Sequence, residues 1–379
     1  MMHCRNERGM ALAVAIFALV LIGALVAMAF FSGRLEQRGG AGSVYAVQAF
    51  EAAEAGMADV IARWDATAFD SLAPGSSLPL DEASLDGGEW YRPTVTRLNK
   101  TLFLVRAEGT RRGPSGQFLA RRVLGTLVRL ETPGVAPAAA LTAAGAVTLS
   151  QSATVDGRDG VPPGWEALCD SLGAGTAGIR VPPAALVSGG SGCESLGCVA
   201  GAPAVARDTL VSAASIELLG SATFDELAAR ADFRVGGTIG SAGPRATGSM
   251  PARCVTADSL NWGEPWVGGG VAACAGYFPV IYAPADLRLT GGRGQGVLLV
   301  TGNLELSGGA EFDGPVVVLG AMRSVGSGGT LRGGLLVAGA AVDLAGYSRV
   351  VTSSCAVRRA RSGAARARPL DERSWLQLY

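Results

Sequence analysis

Four carboxylates are the residues of this 379-residue chain whose types and spacing come nearest to catalytic chemistry. Asp156, Asp159, Glu311 and Asp313 lie near short apolar segments. Clustered acids of this kind cleave glycosidic bonds, often with Ca²⁺ and an arginine base. Asp156 and Asp313 are each followed by glycine, however, and Asp-Gly is also the pair that a tight turn selects. We therefore expect turns here, and we expect that the chain is not an enzyme.

Other catalytic classes are excluded by residues that the sequence lacks. The only histidine is His3, so the rest of the chain has no residue for serine–histidine or cysteine–histidine catalysis or for a histidine-ligated metal. The sequence contains no GxxxxGK[ST] segment, which excludes a P-loop nucleotide site. The glycine string at 291–296 lacks the GxGxxG spacing, and tight turns explain it. We expect no cofactor and no metal ion.

The cysteines indicate disulfides. An even number of cysteines beyond a membrane-targeting segment predicts bonds formed in a periplasm or outside the cell. Cys193 and Cys198 are too far apart for a CxxC pair, and no second close pair exists, which disfavours a zinc site. The candidate disulfide residues are Cys169, Cys193, Cys198, Cys254, Cys274 and Cys355. Their spacing does not select one pairing.

An uninterrupted apolar run extends from Met10 to Phe31. As a helix it would be about 33 Å long, which is enough to cross a bilayer. The run is longer than the apolar core of about 7–15 residues in a secretory signal, and it lacks a small-residue cleavage site at its end. Arg5 and Arg8 before it predict a cytoplasmic N-terminus. A plain single-span anchor is one interpretation of this segment.

A second helical pattern follows the apolar run. Large apolar side chains recur at spacings of three, four and seven residues, as in an amphipathic helix. Glycines at 39, 40 and 42 separate the two patterns, and each costs a helix about 1 kcal/mol. We expect a helix over 10–66 with a weak or melted point at these glycines; the alternative is an anchor, a linker and an unrelated helix. The stripe consists of Val47, Phe50, Met57, Ile61 and Trp64.

Two motifs in this region resemble those of a known family. Arg8-Gly9, followed by Met10 and the apolar run, is similar to a type IV prepilin leader, which a dedicated peptidase cuts after the glycine. The segment QAFEAAEAG at 48–56 resembles the AxxAAEAG segment of PilX-like minor pilins. The resemblance covers residues 5–65 and implies a leader over 1–9, processing between Gly9 and Met10, and storage in the membrane. It also implies packing into a filament core through Val14, Val47, Phe50, Met57 and Ile61.

The chain departs from this family at one position. If Met10 begins the mature chain, its fifth residue is Val14, where major pilins carry a glutamate. That glutamate is thought to neutralise the N-terminal amine of a neighbouring subunit, an ion pair that matters in a low-dielectric core. The departure implies a rare subunit, at the tip or in the initiating complex, rather than the repeating subunit of the shaft.

Residues 67–133 predict a small antiparallel headgroup. Between Trp90 and Glu131 the apolar period changes towards two, which indicates three strands. Asn99-Lys100 is the expected turn between the first two strands, and the glycine- and proline-bearing segment 111–116 separates the second from the third. The fold class of this part is α+β, with a long pilin-like helix and a β-meander.

Residues 134–379 predict an all-β region, a right- or left-handed β-helix. Short apolar strands ending in a small residue recur about every 18–19 residues, at 279–283, 298–302, 316–320 and 335–339. Repeats of this length stack so that each coil buries its inward side chains against the next.

A more distant repeat extends the β-helix towards the N-terminus. Residues 145–157 align without gaps on 302–314. We therefore expect the β-helix to begin near Ala139 and to be interrupted by an insertion over about 158–276, which holds five of the six later cysteines and a helix at 224–232. We expect the meander to cover one end and Cys355 with the segment 370–379 to cover the other. The arginines of 358–368 predict a solvated linker.

These features predict a structural subunit, a minor pilin or pseudopilin-like protein in filament initiation, at the tip or in adhesion. The expected partners are other pilins, the pilus assembly platform, the prepilin peptidase and the inner membrane, with a surface or polysaccharide ligand for the head. Nucleic acid is not expected, because 32 basic and 32 acidic residues balance. The expected location is a single-pass inner-membrane protein with its bulk in the periplasm, and then the pilus or cell surface.

Two alternatives are compatible with the same sequence. One is a membrane-anchored extracytoplasmic β-helix protein that acts on or binds polysaccharide. The other is a scaffold that polymerises end to end, which the cysteines and the covered ends of the β-helix disfavour.

Overall fold

The structure, a computed structural model, describes residues 8–379 except 66–67, 70, 170–171, 221, 249–251, 265–272, 371–374 and 379. His3, Cys4 and Arg5 of the predicted leader lie outside the described residues. The chain divides into two compact units, one formed by Met1–Leu130 with Ala367–Tyr379 and the other by Glu131–Arg366.

The first unit is built on one long helix, α1 (Arg8–Ala62). The helix continues through residues 39–42, so the predicted weak point at the glycines is not melted, and the alternative of a linker followed by an unrelated helix is wrong. The Ser43 hydroxyl donates a hydrogen bond of 2.7 Å to the carbonyl of Gly40 within this patch. Helix propagation is cooperative. The helical residues on both sides of the three glycines therefore keep them helical, although a helix would not nucleate at this point.

An antiparallel sheet covers the C-terminal part of α1. Its strands run in the order β1-β3-β4-β5-β31, with β2 also on β3 and β32 also on β5. Asn99 forms the turn between β3 and β4, because its Oδ1 accepts 2.9 Å hydrogen bonds from the backbone N–H groups of Thr101 and Leu102. The strands are β1 (Ser77–Pro79), β2 (Ala83–Ser84), β3 (Glu89–Arg97), β4 (Leu102–Arg112), β5 (Phe118–Glu131), β31 (Arg366–Pro369) and β32 (Trp375–Leu378).

Small residues set the distance between α1 and this sheet. Ala49 and Ala53 are fully buried. A Cβ atom at Gly109 of β4 would overlap the carbonyl oxygen of Ala49 and the backbone nitrogen of Ala53, and one at Gly56 would lie 2.7 Å from Cδ2 of Tyr91. The motif at 48–56 therefore has a local structural reason, since its small residues let the helix backbone touch the sheet.

The buried face of α1 differs from the stripe of large apolar residues predicted for it. Met57 is buried, whereas Val47 is exposed and Phe50 and Ile61 are half-buried. At the point where Gly109 brings the backbones together, a large side chain does not fit between helix and sheet. Alanine and glycine therefore occupy the contact, and the larger residues lie beside it.

The C-terminal segment returns to the first unit. β32 pairs antiparallel with β5, placing Trp375 opposite Thr126 and Leu378 opposite Val123. The prediction that 370–379 covers an end of the β-helix is wrong, and so is the assignment of all of 134–379 to one domain. The physical reason is that β5, 14 residues long, offers backbone donors and acceptors along its outer edge, and an extended segment satisfies them.

The second unit begins with short strands and small helices. These are β6 (Ala139–Ala143), β7 (Ala146–Leu149), β8 (Thr154–Asp156), β9 (Ala177–Val181), β10 (Val187–Gly189), a 3₁₀ turn (Glu194–Leu196), β11 (Val199–Ala200), β12 (Val205–Arg207), α2 (Ala213–Glu217), β13 (Leu218–Leu219), β14 (Ala222–Thr223), α3 (Phe224–Ala229), β15 (Phe233–Arg234), β16 (Gly237–Ile239), β17 (Ala246–Thr247) and β18 (Arg253–Cys254).

The regular repeats come next and end at a helix. These elements are β19 (Val280–Ala283), β20 (Leu287–Leu289), β21 (Arg293–Gln295), β22 (Val297–Val300), β23 (Leu304–Leu306), β24 (Ala310–Asp313), β25 (Val316–Val318), β26 (Met322–Ser324), β27 (Gly329–Arg332), β28 (Leu335–Val337), β29 (Ala341–Leu344), β30 (Arg349–Val351) and α4 (Ser354–Gly363).

Most strands of the second unit enter three parallel sheets in rotation, within the part of the chain that the structure describes; β13 with β14 and β17 with β18 form two separate antiparallel pairs. The first parallel sheet has the order β12-β9-β6-β28-β25-β22-β19-β15. The second has the order β10-β7-β29-β26-β23-β20-β16, and the third has the order β11-β8-β30-β27-β24-β21. Three consecutive strands, such as β22–β24, thus form one triplet, with one strand in each sheet.

The order of the triplets is not the order of the chain. The triplet β6–β8 pairs on one side with the last triplet, β28–β30, and on the other side with β9–β11. The chain then crosses to β15 and β16, which pair with β19 and β20 at the far edge. From there the later triplets build back until they meet the first one.

This order corrects the predicted insertion. The strands β9–β12, β15 and β16 all lie within 158–276, yet they pair in register with the repeats. The short strand β10, Val187-Ser188-Gly189, carries one large apolar residue and therefore gives no periodic signal. The helix predicted at 224–232 is present as α3, and a capping box between Thr223 and Glu226 fixes its start.

The first parallel sheet is buried on both faces. Leu298 and Val300 of β22 point into the core enclosed by the three sheets. Val297 and Leu299 of the same strand point into a second core. A parallel sheet with two covered faces reads as a continuous apolar run, which is why this part of each repeat is the clearest in the sequence. The second core includes Trp165, Phe224, Phe278, Ala356 and Ala360.

The segment predicted as an arginine-rich linker, 358–368, lies mainly in helix α4 and reaches into β31. The Arg359 guanidinium lies 5.2 Å from the ring of Trp165 and 5.1 Å from that of Phe278. Burial lowers the pKa of Arg359, and the neighbouring Arg358 lowers it further. Arg361 donates a 2.7 Å hydrogen bond from Nε to the carbonyl of Pro133. The linker prediction is wrong because arginine stems and guanidinium planes pack on aromatic rings.

The six cysteines beyond the leader are joined in pairs. Cys169 is bonded to Cys355. This disulfide joins the loop that contains Trp165 to α4. Cys193 is bonded to Cys198 across the 3₁₀ turn, and Cys254 to Cys274.

We expect Gly109→Ala to lower the free energy of unfolding by about 1–3 kcal/mol, since the added methyl group forces α1 away from β4. The control is Gly39→Ala in the open part of the helix, where a Cβ atom meets nothing within 4 Å. That change removes backbone freedom and is expected to stabilise the helix by up to about 1 kcal/mol. Thermal unfolding of the detergent-solubilised chain, followed by circular dichroism, compares them. Equal effects of the two substitutions would contradict the close contact.

The disulfides are expected to differ in their contribution to stability. Cys169 and Cys355 are 186 residues apart and Cys193 and Cys198 are 5 apart, for which loop-closure entropy gives about 5 and about 2 kcal/mol. The double variant Cys169→Ser with Cys355→Ser should therefore unfold at a lower denaturant concentration than Cys193→Ser with Cys198→Ser. A chemical denaturation series on both variants and the unaltered chain measures this. The reverse order would show that chain entropy does not govern these bonds.

Candidate functional site

The largest unusual surface of the described chain is the N-terminal part of α1. Every residue from 12 to 44 is exposed, including Phe17 at 64% and Phe30 at 71% of the full side-chain range. Within the described residues, one helix is long and apolar enough to cross a membrane, and it is this one.

Such a surface is expensive to leave in water. Burial of one large apolar side chain stabilises by about 1.5–3 kcal/mol, and the exposed run from Leu12 to Phe31 forgoes this at most of its positions. Contiguous exposed apolar surface of this extent marks contact with a membrane or with other proteins. This surface is therefore suited to bind lipid tails or other apolar helices.

The predicted processing and packing residues are all placed on this helix. Gly9 and Met10 lie in the first turn of α1. Val14 and Val47 are 63% and 55% exposed and are therefore free for an outside partner. Met57 is used within the first unit instead, where it is buried at the sheet. Of the predicted packing residues, those before Ala49 are thus the ones that remain available.

The four candidate acids do not form one site. Asp156 and Asp313 do share a register column of the third parallel sheet, but β30 and β27 lie between their strands. Asp156 pairs with Arg158 at 2.7 Å. Asp159 accepts hydrogen bonds from the backbone N–H and hydroxyl of Ser354, at 2.7 and 2.5 Å, at the start of α4.

Glu311 and Asp313 do come together, around an arginine that the sequence pattern did not single out. Arg332 lies 3.1 Å from Oε2 of Glu311 and 3.3 Å from Oδ1 of Asp313. The repeat length was a signal for this contact, because Arg332 occupies in β27 the position of Asp313 in β24. Asp313 is only 2% exposed, so the group is a structural ion cluster within the stack.

Burial controls the charge of Asp313. Loss of solvent raises the pKa of Asp313 to about 6, and Arg332 opposes the shift without cancelling it. The residue is therefore held close to neutrality at mildly acidic pH. Among the described residues, no group of three or more histidine, cysteine, aspartate or glutamate side chains is placed to hold a metal ion.

Comparison with known proteins gives little. No protein-family model matches the chain, and no curated protein matches it. One solved structure that matches is the competence-associated pilin ComZ from Thermus thermophilus, with 15% sequence identity over 88% of this chain and 96% of that chain and a TM-score of 0.25. At this level of similarity, nothing about the role of this chain is inferred from that structure.

We expect Asp313→Asn to change how stability depends on pH. An aspartate in the unfolded chain has a pKa near 3.9, and in the folded protein the pKa of Asp313 is about 6. The folded state therefore keeps the proton longer, so the stability from this group is full below about pH 4 and is lost as the pH rises through about 6. Asparagine removes this loss, which we put at about 1–3 kcal/mol.

Denaturant midpoints at pH 4.5 and pH 7 measure the effect. The difference between the two midpoints should shrink in Asp313→Asn and stay unchanged in Asp343→Asn, an exposed aspartate of the second parallel sheet. An unaltered pH difference in Asp313→Asn would show that Asp313 does not titrate in this range.

Proposed function

We propose that this chain is a minor pilin or pseudopilin-like structural subunit. In this proposal α1 is held first in the inner membrane and then among the helices of a filament, and the second unit is a β-solenoid head. The bulk of the chain lies in the periplasm before assembly and on the pilus or cell surface afterwards. The chain has no enzymatic role in this proposal.

One observation carries the proposal. A single unbroken helix is bare from residue 12 to residue 44 and is covered by its own sheet from Ala49 onward. A plain anchor needs only about 20 apolar residues. Here the helix instead continues rigidly beyond the apolar run and into the core of the first unit. A rigid rod fixed to a globular sheet is the form that lets many helices pack side by side while their sheets stay outside.

The residues at the start of the helix support the same proposal. Arg8-Gly9 precedes the apolar run directly, as a cytoplasmic processing site requires, and Met10 would then begin the mature chain. With Val14 at the fifth position after Gly9, the apolar run 10–31 contains no acid, so this subunit brings no carboxylate at that position to neutralise a neighbour's amine in the filament core. We therefore assign it to filament initiation or the tip, where few copies are needed.

The proposed partners follow from these surfaces. The bare helix contacts other pilins and the assembly platform, and the leader is the substrate of the prepilin peptidase. The second unit serves adhesion to a surface or a polysaccharide in this proposal.

N-terminal sequencing tests the proposal. The chain is purified from strains with and without the prepilin peptidase, and we expect it to begin at Met10 only where the enzyme is present. Gly9→Val should leave the leader attached, because the peptidase needs a small residue at the cut. Gly33→Ala is the matched control, since this helical glycine has open space around it and lies beyond the processing site. A chain that keeps its first residues in both strains would overturn the proposal.

A further inference from the structure

The outer face of the second parallel sheet carries a column of alternating charges. Arg288 of β20 is registered with Glu305 of β23, Glu305 with Arg323 of β26, and Arg323 with Asp343 of β29. Their neighbours in each strand point inward and are buried, for example Leu304 and Leu306 beside Glu305. Arg288, Arg323 and Asp343 are exposed and Glu305 is half-exposed, so the column is a single outward row of positive, negative, positive and negative groups.

This row has a special symmetry. Reversed end to end it becomes negative, positive, negative and positive, the complement of the original at every position. A second copy of the chain turned by a twofold rotation about the centre of the row therefore places Arg288 against Asp343 and Glu305 against Arg323, twice over. Thr238 lies beside Arg288 and Thr148 beside Asp343, and these two also face each other under the same rotation. Ser188, beside Thr148, extends the row on one side without adding a charge.

The spacing of the charges selects the kind of partner. Neighbouring strands of a sheet lie about 4.8 Å apart, so the charges repeat at that interval. An extended peptide presents alternate side chains at about 6.6–6.8 Å and falls out of step within two residues. Another stack of parallel strands keeps step along the whole row, and this chain has one. A shallow groove of about 540 Å³ runs along the row and leaves room for side chains from the opposite copy.

We propose that the outer face of the second parallel sheet is a self-complementary interface between two copies of this chain. The proposal goes beyond the assembly role of α1 and does not depend on it, because all the residues concerned lie in Glu131–Arg366. Twofold interfaces are isologous, with the same patch contributed by both subunits, and the antisymmetric row is what such an interface requires.

The third parallel sheet provides a comparison within the same unit. Its outer row reads Arg293, Glu311, Thr330, Arg349 and Thr154, and its reversal does not complement it. An intramolecular purpose for the second-sheet row explains only part of it: Arg288 Nε lies 3.0 Å from Glu305 Oε1, and alternation of charge relieves repulsion between strands. Stabilisation between neighbouring strands requires charges that alternate in sign. It does not require an even number of charges, with a positive group at one end of the row and a negative group at the other.

The interface is expected to be weak and sensitive to salt, because exposed ion pairs contribute little individually and are screened. We expect association of the full chain in detergent at about 0.02 M salt to fall at least tenfold at 0.5 M salt. Sedimentation equilibrium, or energy transfer between two differently labelled preparations, measures the association.

Charge reversal gives the sharper test. Glu305→Arg places two like charges opposite each other on each side of the rotation axis, and so does Arg323→Glu. Each variant alone should associate at least tenfold more weakly than the unaltered chain. A one-to-one mixture of the two variants should associate again, because their rows complement each other at all four positions. The double variant Glu305→Arg with Arg323→Glu should also self-associate, since its row remains antisymmetric.

Controls separate this interface from other effects. Arg349→Glu reverses a charge on the outer row of the third parallel sheet and should leave association unchanged. Melting temperatures of all variants show whether the fold is kept, and the mixture restores association without refolding either chain. The proposal is overturned if the single variants associate like the unaltered chain, if the mixture stays apart, or if a polysaccharide or a different protein is bound by this face while the unaltered chain stays monomeric.

Discussion

Hydrogen bonding along the edges of parallel strands is the constraint on which the second unit depends. A parallel triplet cannot satisfy its own backbone groups, so every triplet in the stack pairs with at least one neighbour and the interior ones pair on both sides. The first triplet, β6–β8, obtains one neighbour from the next strands in the chain and the other from the last triplet, β28–β30. The chain therefore enters and leaves the stack through adjoining triplets.

Coverage of the first parallel sheet is the second requirement, and it explains the parts of the chain that are not repeats. A parallel sheet with one bare face would expose Val297, Leu299 and Val317, which lie in the second core instead. The crossing segment with α2 and α3, the loop around Trp165, and α4 supply the cover. The Cys169–Cys355 bond joins two of these covering segments, the loop around Trp165 and α4, to each other rather than to the sheet. The disulfide therefore fixes two short elements that apolar contact alone would hold in place.

The sequence predicts those features that a local pattern determines. The apolar run before Phe31, the strands on either side of Asn99 and the repeats after residue 279 each have a period that one kind of element satisfies, and parallel sheets follow the long N-terminal helix as expected. What it does not predict depends on contacts between distant residues. No local pattern states that β6 lies beside β28, that β32 pairs with β5, or that Arg359 lies on Trp165 and Phe278.

The acids show the same division in a single site. The equivalence of Asp156 and Asp313 was visible as an aligned Asp-Gly, and the structure places both in one column. Whether such a pair meets depends on how many triplets separate them, which is set by the order of stacking and not by the repeat itself. Arg332 lies in the same column of the sheet, but its role required knowing that β27 is the immediate neighbour of β24.

The two kinds of surface on α1 depend on what lies against each. Where its own sheet covers the helix, the contact is fixed at folding, so the residues are alanine and glycine and the backbones touch at Gly109. From residue 12 to 31 most side chains are large and apolar, with alanines and one glycine among them, and none is charged. Lipid tails and neighbouring apolar helices can both cover such a surface, because neither requires a hydrogen-bonding side chain on it. The glycines at 39, 40 and 42 lie between the apolar run and the part of the helix that packs on its own sheet. At these positions neither the sheet nor an apolar partner surface supports the helix. Any bending that assembly demands is therefore least costly there, and it would leave the close contact at Ala49 and Ala53 intact.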